Sequence, residues 1–235
     1  MINDFEKKLK QLGINYSNKE LDLLEMYYIF LVEYNTHTNL TTITEKEDVY
    51  NKHFYDSLMI SKVIDLTKID TVLDIGSGAG FPGVVLKIFY PNIRLTLLDS
   101  NNKKTRFLTE LVAKLDLKDV NIINDRAENY MKNNLNSYDL CVSRAVAYVD
   151  IISSLSTPFI KLDGKVLLMK GDFTTEEIVL KKYAKELNIK QYNEYAYQLN
   201  NQNRKIIIIS KEKLDNQVPN YASLVKKSEK RKKLT

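Results

Sequence analysis

Val72-Leu73-Asp74-Ile75-Gly76-Ser77-Gly78-Ala79-Gly80-Phe81-Pro82-Gly83 is the stretch from which the rest of the chain can be read. A short apolar run ends and a glycine loop begins, placing four of the chain's seven glycines in residues 76–83. Glycine reaches backbone conformations closed to other residues and lets a ligand lie against the main chain. In a glycine-poor chain, such clustering marks a strand ending at a nucleotide-sized cofactor site. An ordinary tight turn is the alternative, but turns seldom need four glycines.

Outward from this loop the texture differs on the two sides. Upstream, Leu21, Leu24, Tyr28 and Leu31 recur at helical spacing, as do Val49, His53, Asp56 and Ile60, with a break around Asn35-Thr36-His37-Thr38-Asn39. Downstream, short apolar runs at Thr71 to Ile75, Ile93 to Asp99, Val120 to Ile123, Tyr138 to Ser143 and Lys165 to Lys170 alternate with amphipathic stretches. That alternation predicts a parallel sheet covered by helices on both faces. Residues 190–199 and the run Arg204-Lys205-Ile206-Ile207-Ile208-Ile209 leave no room for a helix between them, so they predict a closing hairpin. The expected organisation is a helical lead-in over 1–68, a strand and helix domain over 69–212 and a basic tail over 213–235.

The 235 residues suffice for one large domain with an appendage. The first residues lack the apolar core of a signal peptide, and no run approaches the roughly 20 apolar residues of a membrane span, so a cytoplasmic protein is expected. Cys141 is the only cysteine, which excludes an intrachain disulfide, a two-cysteine mechanism and a multi-cysteine zinc site. No metal is expected. The net charge is +5, and the excess pools in Lys226-Lys227-Ser228-Glu229-Lys230-Arg231-Lys232-Lys233, with six cations and one acid. Such a tail is either a solvated end or a polyanion contact whose affinity falls with salt.

Gly78-Ala79-Gly80-Phe81-Pro82-Gly83 satisfies the G-x-G-x-x-G pattern of dinucleotide sites, which alone is weak. Two neighbours point to S-adenosylmethionine instead. Asp74, two residues ahead of the first glycine, would repel a pyrophosphate but attract amino and sulfonium cations if its carboxylate faces the ligand. Pro82 removes one N–H donor from any phosphate cradle. Asp99 closes the second strand and is placed to accept both ribose hydroxyls, which either cofactor carries. After the third strand, the backbone and acid of Asn124-Asp125-Arg126-Ala127-Glu128 can meet an adenine edge, although a glutamate at a helix start is also favoured by the helix dipole alone.

The fourth strand ends in Ser143-Arg144-Ala145-Val146. The Asp/Asn-Pro-Pro-aromatic turn found here in many enzymes that methylate exocyclic amines is absent. Cys141, inside the strand, argues against attack on carbon five of a pyrimidine. Taken together, Asn39-Leu40-Thr41, His53-Phe54-Tyr55-Asp56-Ser57-Leu58, the stretch from Leu73 to Gly83, Leu97-Leu98-Asp99-Ser100, Arg126-Ala127-Glu128, Ser143-Arg144-Ala145-Val146 and Lys170-Gly171 closely resemble the bacterial small-subunit ribosomal RNA methyltransferase G family (RsmG, also called GidB). The resemblance runs from about residue 34 to residue 210, and its most specific elements are Gly80-Phe81-Pro82-Gly83, His-x-x-Asp-Ser-Leu and Ser-Arg-Ala-Val in that order.

The resemblance implies a Rossmann-like class I methyltransferase with a seven-stranded sheet that transfers methyl from S-adenosyl-L-methionine to N7 of one guanine, position 527, in 16S ribosomal RNA. It implies a cofactor pocket of Asp74, Gly76, Gly78, Phe81, Asp99, Ser100, Ala127 and Glu128, with Arg144 on the floor near the transferring methyl. The partner would be 16S ribosomal RNA or the small ribosomal subunit, and a monomer is expected. Two departures stand out: Tyr34 where the family commonly has tryptophan, and Val218-Pro219-Asn220 where it commonly has Tyr-Pro-Arg.

Guanine N7 carries an in-plane lone pair and needs no proton removed, so alignment is the main demand and no general base is expected. His53 and Asp56 lie one helical turn apart and either lock the lead-in onto the sheet or touch RNA. Arg144 is a permanently charged fork, costly to bury unless it binds a carboxylate, a phosphate or a guanine edge. Lys170 either meets RNA phosphate or solvates its strand tip. Lys226, Lys227, Lys230 and Arg231 are RNA-contact candidates, while Lys103, Lys104 and Arg106 read as a solvated helix face that attracts RNA nonspecifically. A nicotinamide-dependent oxidoreductase and a non-catalytic RNA-binding protein on the same fold are the competing readings.

Overall fold

The computed structural model describes residues 2–233. Its sheet is built from β1 (Thr71–Ile75), β2 (Arg94–Asp99), β3 (Val120–Asn124), β4 (Tyr138–Arg144), β5 (Ile160–Lys170), β6 (Ile189–Leu199) and β7 (Gln202–Lys211). The spatial order is β3-β2-β1-β4-β5-β7-β6, with β1 to β5 parallel and β7 antiparallel to both neighbours. The five sequence-predicted strands and the closing hairpin are present; β5 begins earlier than expected, at Ile160. β1, β2 and β4 are buried almost throughout because helices cover both faces.

Among the described residues, ten α-helices accompany the sheet: α1 (Ile2–Leu12), α2 (Asn18–Thr38), α3 (Lys46–Val49), α4 (Asp56–Leu58), α5 (Gly83–Phe89), α6 (Asn102–Lys114), α7 (Ala127–Tyr130), α8 (Val149–Ser156), α9 (Thr174–Tyr183) and α10 (Tyr221–Lys232). α2 starts at a capping box in which the Ser17 hydroxyl accepts the Lys19 N–H and Glu20 accepts the Ser17 N–H. It ends at Asn39 in the left-handed conformation, the position of the predicted break. α3 and α4 are joined by a π-helical turn, Tyr50–Tyr55.

Strand alternation divides the interior in two. Val72, Leu95, Leu97, Leu140 and Val142 pack with α1, α2, α5 and α6, whereas Leu73, Ile75, Leu98 and Cys141 pack with Val149, Ile152, Val179 and Leu180. The helical lead-in therefore shares a hydrophobic cluster with one face of the sheet. Tyr34, which stands where the family commonly has tryptophan, packs among aromatic rings, 5.1 Å from Phe107 and 5.5 Å from Phe30.

Tyr221–Lys232 of the basic tail form a helix, α10, that packs on the domain. Ser228 and Arg231 of α10 are buried, and both bond to the buried Asp150 of α8.

Candidate active site

A cleft of about 440 Å³ opens at the C-terminal ends of β1 to β4, in the size range of small-molecule sites. The strand order β3-β2-β1-β4 switches its progression between β1 and the parallel β4, the place where open α/β sheets bind ligands. Gly76, Gly78, Phe81, Asp99, Ser100, Ala127, Glu128 and Arg144 all line it.

The glycine loop is shaped by backbone. Gly76, Gly78 and Gly80 have φ of 70°, 57° and 94°. A Cβ on Gly76 would lie 2.4 Å from a Val146 methyl, so that loop and the β4 turn approach too closely for a side chain. The loop is tied down from three directions. The Gly78 N–H donates to Asp99 Oδ2 at 2.9 Å, Gly76 N–H donates to the Leu98 carbonyl at 2.8 Å, and the Tyr27 hydroxyl of α2 donates to the Ala79 carbonyl. Asp99 also accepts the Asn101 N–H at 2.8 Å, yet it still lines the cleft with lone pairs to spare for hydroxyls.

Asp74 departs from expectation. It is fully buried and does not line the cleft; its Oδ2 accepts the Gly83 N–H at the start of α5, at 2.8 Å. The cause is strand parity, because Asp74 shares the face of Val72 and so points toward α5 under the loop. Burial raises its pKa to about 7, with the Gly83 N–H and Arg144 acting in the opposite direction. Asp74 supports the loop from beneath rather than facing a ligand.

A second cleft of about 530 Å³ lies at the ends of β4 and β5 and shares His53, Arg144, Ala145 and Val146 with the first. Arg144 stands at the junction. Its Nη1 donates to the Lys52 carbonyl at 3.1 Å and to Asp56 Oδ2 at 3.3 Å, and its Nη2 donates to His53 Nδ1 at 3.0 Å. The guanidinium also lies 4.9 Å from the Phe81 ring, against which His53 stacks at 4.4 Å. Burial, and then the neighbouring Arg144 charge, lower the His53 pKa to about 3, so this imidazole is neutral and accepts at Nδ1. Its Nε2–H donates to Thr41 at 3.1 Å. Tyr197 of β6 donates to the other Asp56 oxygen at 2.7 Å. His53 and Asp56 thus lock the lead-in onto the sheet through Arg144.

Lys170 does not merely solvate its strand tip. It lines the second cleft, and its parity turns it toward Glu176 of α9, to which it donates at 2.8 Å, while it also donates to the Ala147 carbonyl at 2.6 Å. Arg231 is withdrawn from the surface, 6% exposed and paired with Asp150 at 3.0 Å and Glu186 at 2.9 Å. Lys226, Lys227 and Lys230 of the same helix are exposed. Lys104, expected on a solvated face, is half-buried and lines the first cleft.

Sequence reasoning missed Tyr221 in the first cleft, Tyr197 and Arg204 in the second, and the role of Asn35. The Asn35 amide exchanges two 2.9 Å bonds with the Thr41 backbone, which holds Leu40 and Thr41 at the cleft wall. Only chain folding brings these residues to the site.

The cleft fits S-adenosylmethionine chemically: a glycine-rich loop for close backbone approach, an acid at the β2 tip for ribose hydroxyls, and polar groups after β3 for a purine edge. Two solved methyltransferases share the fold. They are precorrin-6y C5,15-methyltransferase from Geobacter metallireducens (TM-score 0.54, 16% identity, covering 74% of this chain and 92% of that one) and ribosomal protein L11 methylase from Lactobacillus delbrueckii subsp. bulgaricus (TM-score 0.54, 16% identity, 68% and 79%). By sequence, the chain is 39% identical over 217 residues to ribosomal RNA small subunit methyltransferase G of Bacillus thuringiensis and of Bacillus cereus, covering 90% of this chain and 91% of theirs. The family model for rRNA small subunit methyltransferase G matches residues 20–207. With its motifs set around one cleft and that match spanning most of its length, the chain belongs to the rRNA small subunit methyltransferase G family.

Proposed function

We propose that this chain transfers a methyl group from S-adenosylmethionine to N7 of guanine 527 in the 16S ribosomal RNA of the small subunit. The observation that carries the reading is the junction at Arg144: a cofactor-sized cleft and a second cleft meet on a residue held in place by three residues of the helical lead-in. When bound, the cofactor supplies an electrophilic methyl on its sulfonium. Gly76, Gly78 and Phe81 hold the loop against it, Asp99 takes the ribose, and Ala127 and Glu128 face the purine.

The target base would enter from the second cleft. Three N–H donations of Arg144 go to Lys52, His53 and Asp56, which leaves capacity in its five-donor fork for a guanine O6 while the N7 lone pair stays free. Arg204 lines the same cleft, so its guanidinium is a further candidate donor for RNA. No strong base is held at the junction: His53 has a pKa of about 3, and Asp56 is bonded to Arg144 and Tyr197. N7 attack requires none. Alignment of N7, methyl carbon and sulfur is what such a rigid junction supplies, worth roughly 7–11 kcal/mol in favourable cases. Lys226, Lys227 and Lys230 are assigned to RNA phosphates.

The test is a modification map of 16S ribosomal RNA from a strain lacking this chain. One N7-methylguanine should be missing and should return on supplying the protein. Unchanged methylation refutes the reading. Calorimetry adds a cofactor check, since binding of NAD in place of S-adenosylmethionine would favour an oxidoreductase.

A further inference from the structure

The C-terminal helix carries a residue into the cofactor cleft. Tyr221, the first residue of α10, lines that cleft beside Asp125, Arg126, Ala127 and Glu128. These residues follow β3, which is farthest from Arg144 among the four strands that end at this cleft, so Tyr221 stands at the end opposite the methyl-transfer junction. The Arg126 guanidinium lies 4.5 Å from the Tyr221 ring, and Arg126 in turn pairs with Glu128.

The helix is committed to this position by its far end. Asp150 is 1% exposed and has both oxygens engaged by α10: Oδ1 by the Ser228 hydroxyl at 2.8 Å and Oδ2 by Arg231 at 3.0 Å. Arg231 also lies over the Tyr183 ring at 4.6 Å, and Lys232 over the Tyr148 ring at 4.2 Å. A buried carboxylate satisfied this fully fixes the helix, because breaking the pair would strand a charge in the interior. At the near end, Asn220 Oδ1 accepts the Ser223 N–H at 3.0 Å. Tyr221 and Arg231 are ten residues apart, so a rigid lever of about 15 Å connects the anchor to the cleft.

We infer that Tyr221 closes the purine end of the cofactor cleft with its ring, and that α10, anchored by Ser228 and Arg231 on Asp150, is the clasp that holds it there. The inference rests on the reading that the cleft binds S-adenosylmethionine. An aromatic face braced by a guanidinium suits the π-face of a purine, and alanine substitution of such a stacking residue typically costs about 5- to 150-fold in affinity.

The chain contains no tryptophan, so Tyr221→Trp creates a single fluorophore at the site. Its emission should change on titration with S-adenosylmethionine or adenosine, saturating at the calorimetric Kd, and should not change with methionine. Tyr221→Ala should weaken S-adenosylmethionine and adenosine alike by about tenfold, with Tyr221→Phe within about twofold of wild type. Arg231→Met, remote from the cleft, should weaken both ligands in the same direction. If wild type binds S-adenosylmethionine while Tyr221→Ala binds equally well and the tryptophan emission stays constant, the clasp is overturned and the cofactor reading stands. A wild-type protein that binds no S-adenosylmethionine overturns the cofactor reading and the clasp with it.

Discussion

At the tips of β1 and β2 the cofactor cleft is made largely of backbone: a glycine-rich loop, N–H groups tied to neighbouring carbonyls and carboxylates, and Asp99 at a strand end. At the tips of β4 and β5 the second cleft is made of side chains, with His53, Asp56, Arg144 and Tyr197 arriving from the lead-in, β4 and β6. The first site is intolerant of added atoms and the second of removed ones. A backbone cradle loses its ligand when a Cβ fills it, whereas a buried charge network loses both stability and alignment when one partner goes.

The sharpest way to break this contrast is Gly76→Asp. The φ of 70°, the Val146 methyl 2.4 Å from the new Cβ and a carboxylate in the cleft should together reduce S-adenosylmethionine affinity by about 100-fold or more, about 2.7 kcal/mol. Calorimetry checks it, and a loss below tenfold would show that the loop is not a backbone cradle. Next is Arg144→Ala. It leaves Asp56, 5% exposed, with Tyr197 as its remaining side-chain donor, so urea unfolding should show a loss of about 3 kcal/mol, and single-turnover methyl transfer should slow more than cofactor binding weakens. A stable variant would mean that the network does not hold the lead-in to the sheet.

Protonation separates the two regions further. Asp74, beneath the loop, has a native pKa of about 7 against about 3.9 unfolded, so the native state binds more protons from pH 4 to 7 and this group's contribution to stability falls as pH rises. His53, on the second side, has a native pKa of about 3 against about 6.5 unfolded, so its contribution rises over pH 3 to 6.5. The two oppose each other from about pH 4 to 6.5. Asp74→Asn should expose a rising slope of up to about 1.4 kcal/mol per pH unit, and His53→Gln a falling one, in unfolding curves of the ligand-free protein. Matching slopes in both variants would refute the assignment.

Smaller effects sharpen the picture. Tyr197→Phe removes one donor to Asp56 and should cost about 1–2 kcal/mol in stability, with cofactor affinity unchanged because Tyr197 lines only the second cleft. Replacing Lys226, Lys227 and Lys230 with alanine should lower the salt dependence of RNA binding by about two units of log-log slope with little change at low salt in the rate for bound RNA. An unchanged slope would remove α10 from the RNA surface.

Much of the first cleft was legible because its parts are contiguous. A strand that runs into a glycine loop, an acid at the next strand end and an acidic turn after the third are each local patterns, and the sheet carries them to one edge. Asp74 was misjudged on orientation, which the shared parity with Val72 decides. Arg231 was misjudged for another reason. A cation's availability depends on which acid folds against it, here Asp150.

The amino-acid sequence by itself determined the strand and helix alternation, the closing hairpin, the glycine loop and the family motifs, because hydrophobic period and backbone freedom act over a few residues. Tertiary structure alone decided that α10 packs on α8 and brings Tyr221 to the cofactor cleft, and that Tyr197 and Asp56, 141 positions apart, share a bond under Arg144. Pairings of that kind follow from burial, where an unpaired charge is costly enough to select its partner from anywhere along the chain.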